Sequence, residues 1–188
     1  MPSSSATIAT PLITGVKART IATAAAIVAA VALPQVLHGL GALLGFGAGP
    51  AQALTPMHIP IILVGLLAGP TVGVIAGIAS PLLAFALSGM PVAALLPFMV
   101  LELAAYGLVA GLLARVKMHV ILKVLAIQIA GRLVRLGAVG FALAFMGAQS
   151  PSLVSVWDAT VVGLPGIILT WIVVPPIVGW LQKRGLTK

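Results

Sequence analysis

The stretch MHVILKVLAIQIAGRLVRLGAVGFALAFMGA, residues 118–148, is apolar at most positions but contains Gln128, Arg132 and Arg135 near its centre. An ionisable side chain at the centre of a bilayer costs about 2.5–3.5 kcal/mol on insertion scales, so such residues usually face a partner or a polar cavity. The spacing i, i+4, i+7 places the three side chains on one helix face. This stretch therefore predicts a membrane helix whose polar face points into a helix bundle.

A second apolar run, residues 91–114, carries Glu102 and Tyr106 at i and i+4, again on one face. Because Glu102 and Arg132 both lie near the middle of their runs, we expect the two polar faces to meet. One glutamate against two arginines leaves a positive charge, which a ligand carboxylate would take through the two-pronged guanidinium geometry. Two other interpretations stay open: an internal ion pair that only fixes helix register, or a misplaced helix boundary that lets Arg135 reach water.

The composition supports a membrane protein throughout. Of 188 residues, 61% are hydrophobic and only 6% are charged, whereas about a quarter are charged in soluble domains. Since roughly 20 apolar residues cross a bilayer as a helix, the chain has room for six crossings. Turn residues and charges separate six apolar segments, at residues 19–44, 57–68, 71–87, 92–114, 118–148 and 161–181. The second segment is short, so we expect it to be tilted, sheltered by protein, or continued by its flanks.

We therefore predict an all-α integral membrane protein. Residues 17–188 would form a single domain of six transmembrane helices, and residues 1–16 a disordered N-terminal tail. Apart from the two arginines of the polar face, the basic residues fall on one set of connections: Lys17, Arg19, Arg115, Lys117, Lys123, Lys183, Arg184 and Lys188. By the positive-inside rule, that side and both termini are cytoplasmic. The formal charge of +8 thus indicates orientation, and we expect no nucleic-acid partner.

Several chemistries are excluded by the motifs that the sequence lacks. It has no Gly-x-x-x-x-Gly-Lys-[Ser/Thr] phosphate loop, no Gly-x-Ser-x-Gly elbow and no His-Glu-x-x-His. Glu102 and Asp158 are its only acidic residues, so acid–base catalysis has almost no groups to use. The sequence has no cysteine, and two distant histidines make a weak metal site. We therefore expect a chain that is not an enzyme and holds no metal.

Some residues are weaker candidates for a site. His38 and His58 flank the first outer loop, residues 45–56, and would cap a ligand cavity from outside. Trp171 lies about halfway along the last segment. We interpret Asp158 as a solvated loop residue or a helix N-cap in the outer loop 147–160.

Small residues recur at four-residue spacing in the first segment, at Ala22, Ala26 and Ala30. Such a ridge lets another helix approach closely. The ridge would serve either internal packing or docking on another membrane subunit.

Residues 57–77, MHIPIILVGLLAGPTVGVIAG, resemble the second and third helices of the substrate-binding (S) components of energy-coupling factor (ECF) transporters. Ser80-Pro81, Gly89-Met90-Pro91 and the run from Glu102 to Gly107 continue the likeness. The resemblance implies six helices that bind a vitamin or related micronutrient on the outward side, with the first outer loop and the loop between helices five and six closing over it.

The same resemblance implies a membrane coupling subunit and two ATPase subunits as partners, so ATP would be used by those partners and this chain would need no cofactor. Ala22, Ala26 and Ala30 match the family's docking pattern on helix one.

The sequence thus predicts the substrate-capturing subunit of an ATP-driven importer in the cell membrane. We expect its cavity to be lined by Arg132, Arg135, Glu102, Gln128 and Tyr106, with His58 and Trp171 as weaker members. The surplus positive charge predicts an anionic or zwitterionic ligand, such as a carboxylate vitamin of the pantothenate type. A stand-alone small-molecule permease and a non-transporting membrane scaffold are the alternatives.

Overall fold

A computed structural model describes residues 13–147 and 151–183, and in this part the chain forms eight α-helices and no strand. The helices are α1 (Val16–Leu43), α2 (Gly49–Leu54), α3 (His58–Ala68), α4 (Pro70–Ser88), α5 (Leu96–Leu113), α6 (Val120–Phe145), α7 (Leu153–Val162) and α8 (Leu164–Lys183). Most of the predicted N-terminal tail, residues 1–12, lies outside the described residues. Ile13 donates its backbone N–H to Leu67 O at 2.9 Å, so the chain is packed on α3 before α1 begins.

The expected apolar segments correspond to α1, α3, α4, α5, α6 and α8, but two loop assignments were wrong. Residues 45–56 contain α2, and residues 147–160 contain most of α7. α2 has a proline in its first turn, where the missing N–H would be unpaired anyway. Ser152 is the N-cap residue of α7, and its hydroxyl accepts the N–H of Ser155, the usual side-chain cap. Short helices of this kind give little apolar periodicity to detect.

Among residues 13–147 and 151–183, five stretches are long and apolar enough to cross a membrane, judged by length and composition: α1, α2 with α3 (Gly49–Ala68), α4, α5 and α8. α6 is not among these five, although it has 26 residues. It carries Lys123, Arg132 and Arg135. The count of six crossings therefore stays a prediction.

α3 is the central helix of the bundle. In the membrane-length apolar stretch that α2 and α3 form together, Gly49–Ala68, 67% of the residues are buried within the protein. In α1 the corresponding share is 11%. Most of its side chains are buried, including Ile61, Ile62 and Leu66 at 0% exposure, and the remaining face is partly buried. A helix that is apolar all round is typical of a core position. The short second segment is thus sheltered by protein and extended by α2, as the sequence suggested.

Glycines bring α4 and α5 into backbone contact. A Cβ added at Gly107 would overlap the backbone of Gly73, and a Cβ at Gly73 would overlap that of Gly107. One turn away on each helix, Gly77 meets the Leu103 backbone in the same way. Close helix approach through small residues is the usual packing device in membranes. This contact fixes α5, the helix that carries Glu102, against the rest of the bundle.

The alanine ridge of α1 faces the inside of this chain. Ala30 is fully buried, Ala26 is 8% exposed, and Ala22 packs against the same core. α1 contacts α3 and α4. The ridge therefore packs within this chain, and docking of a coupling subunit through Ala22, Ala26 and Ala30 stays a prediction. Docking through this ridge would require α1 to separate from its neighbours.

We predict that Gly107→Ala destabilises the protein by about 1–3 kcal/mol, because the added methyl group must push α4 and α5 apart. The matched control is Gly137→Ala in α6, where nothing lies within 4 Å of the added Cβ; there the change favours the helix slightly. Thermal unfolding of both variants in one detergent would measure the difference. Equal melting temperatures would contradict the close α4–α5 contact.

Candidate functional site

The polar faces of α5 and α6 meet around Glu102, as the sequence predicted. Arg132 Nη1 lies 3.1 Å from Glu102 Oε1, and Arg135 Nη1 lies 2.9 Å from Glu102 Oε2. The Glu102 side chain is 1% exposed, while the two arginine side chains are 15% and 12% exposed. Each carboxylate oxygen thus holds one guanidinium, and neither arginine extends freely to solvent.

Tyr106 holds the Glu102 carboxylate, and His58 packs against Tyr106. The Tyr106 hydroxyl donates to Glu102 Oε1 at 2.8 Å, and the His58 ring meets the Tyr106 ring edge-on with centroids 4.9 Å apart. Space for the tyrosine comes from Gly131 on α6, where an added Cβ would overlap its ring. The orientation of Glu102 is therefore set by three helices, α3, α5 and α6.

Part of each guanidinium group remains unpaired. Arg132 Nε, Arg132 Nη2 and Arg135 Nε are all buried without a hydrogen-bond partner. A buried donor left without a partner costs about 1–3 kcal/mol, and more when it is charged. Because two guanidinium groups share one carboxylate, the cluster also keeps one formal positive charge. These unused N–H groups therefore have both the geometry and the charge to hold an anion.

A cavity of about 460 Å³ lies directly beside the arginines. Small-molecule sites typically have volumes of about 300–1,000 Å³ and mostly apolar walls with a few polar groups. The cavity occupies the end of the bundle where α1 and α4 finish and α3 and α5 begin. Its walls carry Arg132, Arg135 and His58, together with apolar side chains such as Met57 and Met99.

Four of the predicted site residues do not line this cavity. Glu102 and Tyr106 lie behind the arginines. Gln128 and Trp171 pair with each other instead, because Trp171 Nε1 donates to Gln128 Oε1 at 2.6 Å. Gln128 lies one turn before Arg132 on α6, and at that level the polar face meets α8 rather than the cavity.

The structure adds polar residues that sequence reasoning missed or discounted. Asp158 is neither in a loop nor an N-cap: it lies within α7, is exposed and lines the cavity. His38 also lines the cavity, as do Gln35, Gln52 and Thr55. Because the chain has only two acidic residues, Asp158 could have been recognised as a candidate from the sequence. No feature of the sequence pointed to Gln35, Gln52 or Thr55. Within the described ranges, no group of three or more His, Cys, Asp or Glu residues is placed to hold a metal ion.

Comparison with known families gives one match. The model of the family described as "ECF transporter, substrate-specific component" matches residues 19–178. The matched region includes the three-residue ion cluster and every cavity-lining residue named above. Comparisons with curated proteins and with solved structures gave no match.

We predict that Glu102→Ala lowers stability by about 3–5 kcal/mol, because it leaves two buried guanidinium groups without their carboxylate. The matched control is Asp158→Ala, which removes the other acidic residue and changes the net charge equally. Since Asp158 is exposed, its loss should change stability by no more than about 0.5 kcal/mol. Thermal unfolding in detergent compares the two variants. Similar effects would contradict a stabilising role for the buried ion cluster.

Proposed function

This chain belongs to the substrate-specific components of ECF transporters, which are membrane-embedded transporter subunits and not enzymes, and we propose that it captures an anionic or zwitterionic small molecule. The ligand would be a carboxylate vitamin or a related micronutrient. Arg132 and Arg135 would bind its anionic group inside the cavity, while Glu102 and Tyr106 hold the two guanidinium groups in position.

The observation that carries this proposal is the set of three buried, unpaired guanidinium N–H groups on two residues of the cavity wall. An ion pair that served only to fix helix register would bury its donors against acceptors. Here Glu102 accepts from Nη1 of each arginine, whereas Nε of both arginines and Nη2 of Arg132 have no acceptor. A carboxylate accepts two parallel N–H bonds from such an edge, which gives both energy and orientation.

The rest of the cavity suits a ligand with a second polar group. Asp158 lines it from α7, and within the described part of the chain it forms no ion pair. An amino or hydroxyl group on the ligand would be a suitable partner for this carboxylate. Apolar side chains such as Leu95, Met99 and Val162 cover much of the remaining wall and would pack against a carbon skeleton. These features support a zwitterionic or hydroxylated acid.

We also propose that α6 is a sixth crossing, that both termini are cytoplasmic and that the protein resides in the cell membrane. The cavity end of the bundle has no lysine or arginine in its connections, whereas Arg115 and Lys117 follow α5 at the opposite end. This partition fits the positive-inside rule and turns the cavity outward. A membrane coupling subunit and two ATPase subunits would then complete the importer and supply ATP hydrolysis, so that this chain needs no cofactor of its own.

Binding of defined acids tests the ligand class. We expect purified protein to retain at least one of radiolabelled pantothenate, biotin or nicotinate, and not the cation thiamine. Arg132→Lys keeps the charge but loses the forked geometry, so we expect binding to weaken about 10- to 100-fold. Arg115→Lys, the same change at an exposed residue outside the site, should bind as the unaltered protein does. Failure of all three acids to bind, or unchanged binding by Arg132→Lys, would overturn the proposal.

Cysteine labelling tests the topology, and the natural sequence provides a background without cysteine. Single cysteines at Leu44, Lys117 and Leu153, all exposed positions, would be treated in intact cells with a membrane-impermeant maleimide. If α6 crosses the membrane, Leu44→Cys and Leu153→Cys are labelled while Lys117→Cys reacts only after lysis. Labelling of Lys117→Cys and Leu153→Cys from the same side would show that α6 does not cross.

A further inference from the structure

We propose that Thr55 is a ligand-binding residue: its hydroxyl and Arg132 Nη2 would donate hydrogen bonds to the same anionic group of the ligand. This inference rests on the proposed function, because it assigns a second contact to the anion held by the arginines. Thr55 ends α2 and lines the cavity together with Arg132.

The backbone of Thr55 is strained. Its φ of 40° and ψ of 51° lie in the left-handed region, and among the described residues it is the one non-glycine residue with positive φ. A β-branched residue is a genuine outlier there. Strained backbone of this kind tends to occur at functional sites, where the surrounding structure enforces it. Glycine adopts this left-handed conformation without strain. The backbone geometry therefore does not explain why a threonine occupies this position.

The Thr55 hydroxyl is also exceptional. Its Oγ1 is buried and has no hydrogen-bond partner, and burying a hydroxyl without a partner costs free energy. Thr23, Thr160 and Thr170 each donate instead to the carbonyl four residues earlier. Thr55 makes no such bond. A ligand that reached this hydroxyl from the cavity would supply the missing acceptor.

The position of Thr55 links it to the arginine site. A Cβ added at Gly163 would lie 3.2 Å from Thr55 Cγ2 and 3.5 Å from Arg132 Nη2, so the methyl group of Thr55 and the free edge of Arg132 border the same small space. A Cβ at Gly166 would overlap Thr55 Oγ1. Gly163, just before α8, and Gly166, in its first turn, thus leave room for the Thr55 side chain beside Arg132. Thr55 Oγ1 and Arg132 Nη2 are both donors without a partner, so an anionic oxygen that reached both would complement them.

Thr55→Val and Thr55→Ser separate the hydroxyl from the shape of the side chain. The probe is whichever radiolabelled acid the unaltered protein retains from pantothenate, biotin and nicotinate. Valine keeps the β-branch and the size but removes the donor, so we expect binding to weaken about tenfold. Serine keeps the donor and should bind within about threefold of the unaltered protein. Without added acid, Thr55→Val should melt no lower than the unaltered protein, because it removes an unsatisfied buried hydroxyl.

The outcomes distinguish this inference from the proposed function. If none of the acids binds to the unaltered protein, the proposed function fails and the role of Thr55 fails with it. If Arg132→Lys weakens binding but Thr55→Val does not, only the role of Thr55 is overturned. Equal losses in Thr55→Val and Thr55→Ser, or a lower melting temperature of Thr55→Val without acid, would show that the side chain acts through packing.

Discussion

One buried carboxylate shared by two guanidinium groups is the constraint on which the site depends. In an apolar bundle, Glu102, Arg132 and Arg135 cannot be left apart, because an isolated buried charge costs far more than a paired one. The pairing fixes the register of α5 against α6 and selects which edge of each guanidinium is satisfied. It also leaves one positive charge and three N–H groups beside a cavity. The ion cluster that fixes this register is therefore also the source of the unpaired donors at the cavity wall.

The surrounding packing makes this arrangement rigid. Gly73 and Gly107 let α4 and α5 touch through their backbones, and Gly131 admits the Tyr106 ring that holds Glu102. A binding site works best when the residues behind it fix the groups that touch the ligand. Under the proposed function Glu102 and Tyr106 would perform that task, while the anionic group of the ligand would meet the arginines in front of them. Loss of a supporting residue would thus misplace the guanidinium groups without removing them.

Most of the buried side-chain donors that lack a partner lie at the cavity end of the bundle, whereas Arg19 Nε lies near the start of α1. Arg132 and Arg135 have buried donors without partners, and the Thr55 hydroxyl has none either; Thr55 also has a positive φ. In other helices, by contrast, several threonine and serine hydroxyls donate to the carbonyl four residues earlier, as Thr160, Thr170 and Ser80 do. Sites where sequence and structure conflict with local rules are often functional. A ligand in the cavity would satisfy several of these groups at once.

Composition and periodicity alone determined the all-helical membrane class, the segments that became α1, α3, α4, α5, α6 and α8, and the meeting of Glu102 with Arg132 and Arg135. These properties depend on apolar length and on which residues share a helix face, and both can be read from spacing. Only the tertiary structure decided that Ala26 and Ala30 pack inward and that Gln128 turns to α8. It also brought residues from α2 and α7 to the cavity. Spacing defines a face of one helix but not which neighbour that face meets, and that depends on how all the helices pack together.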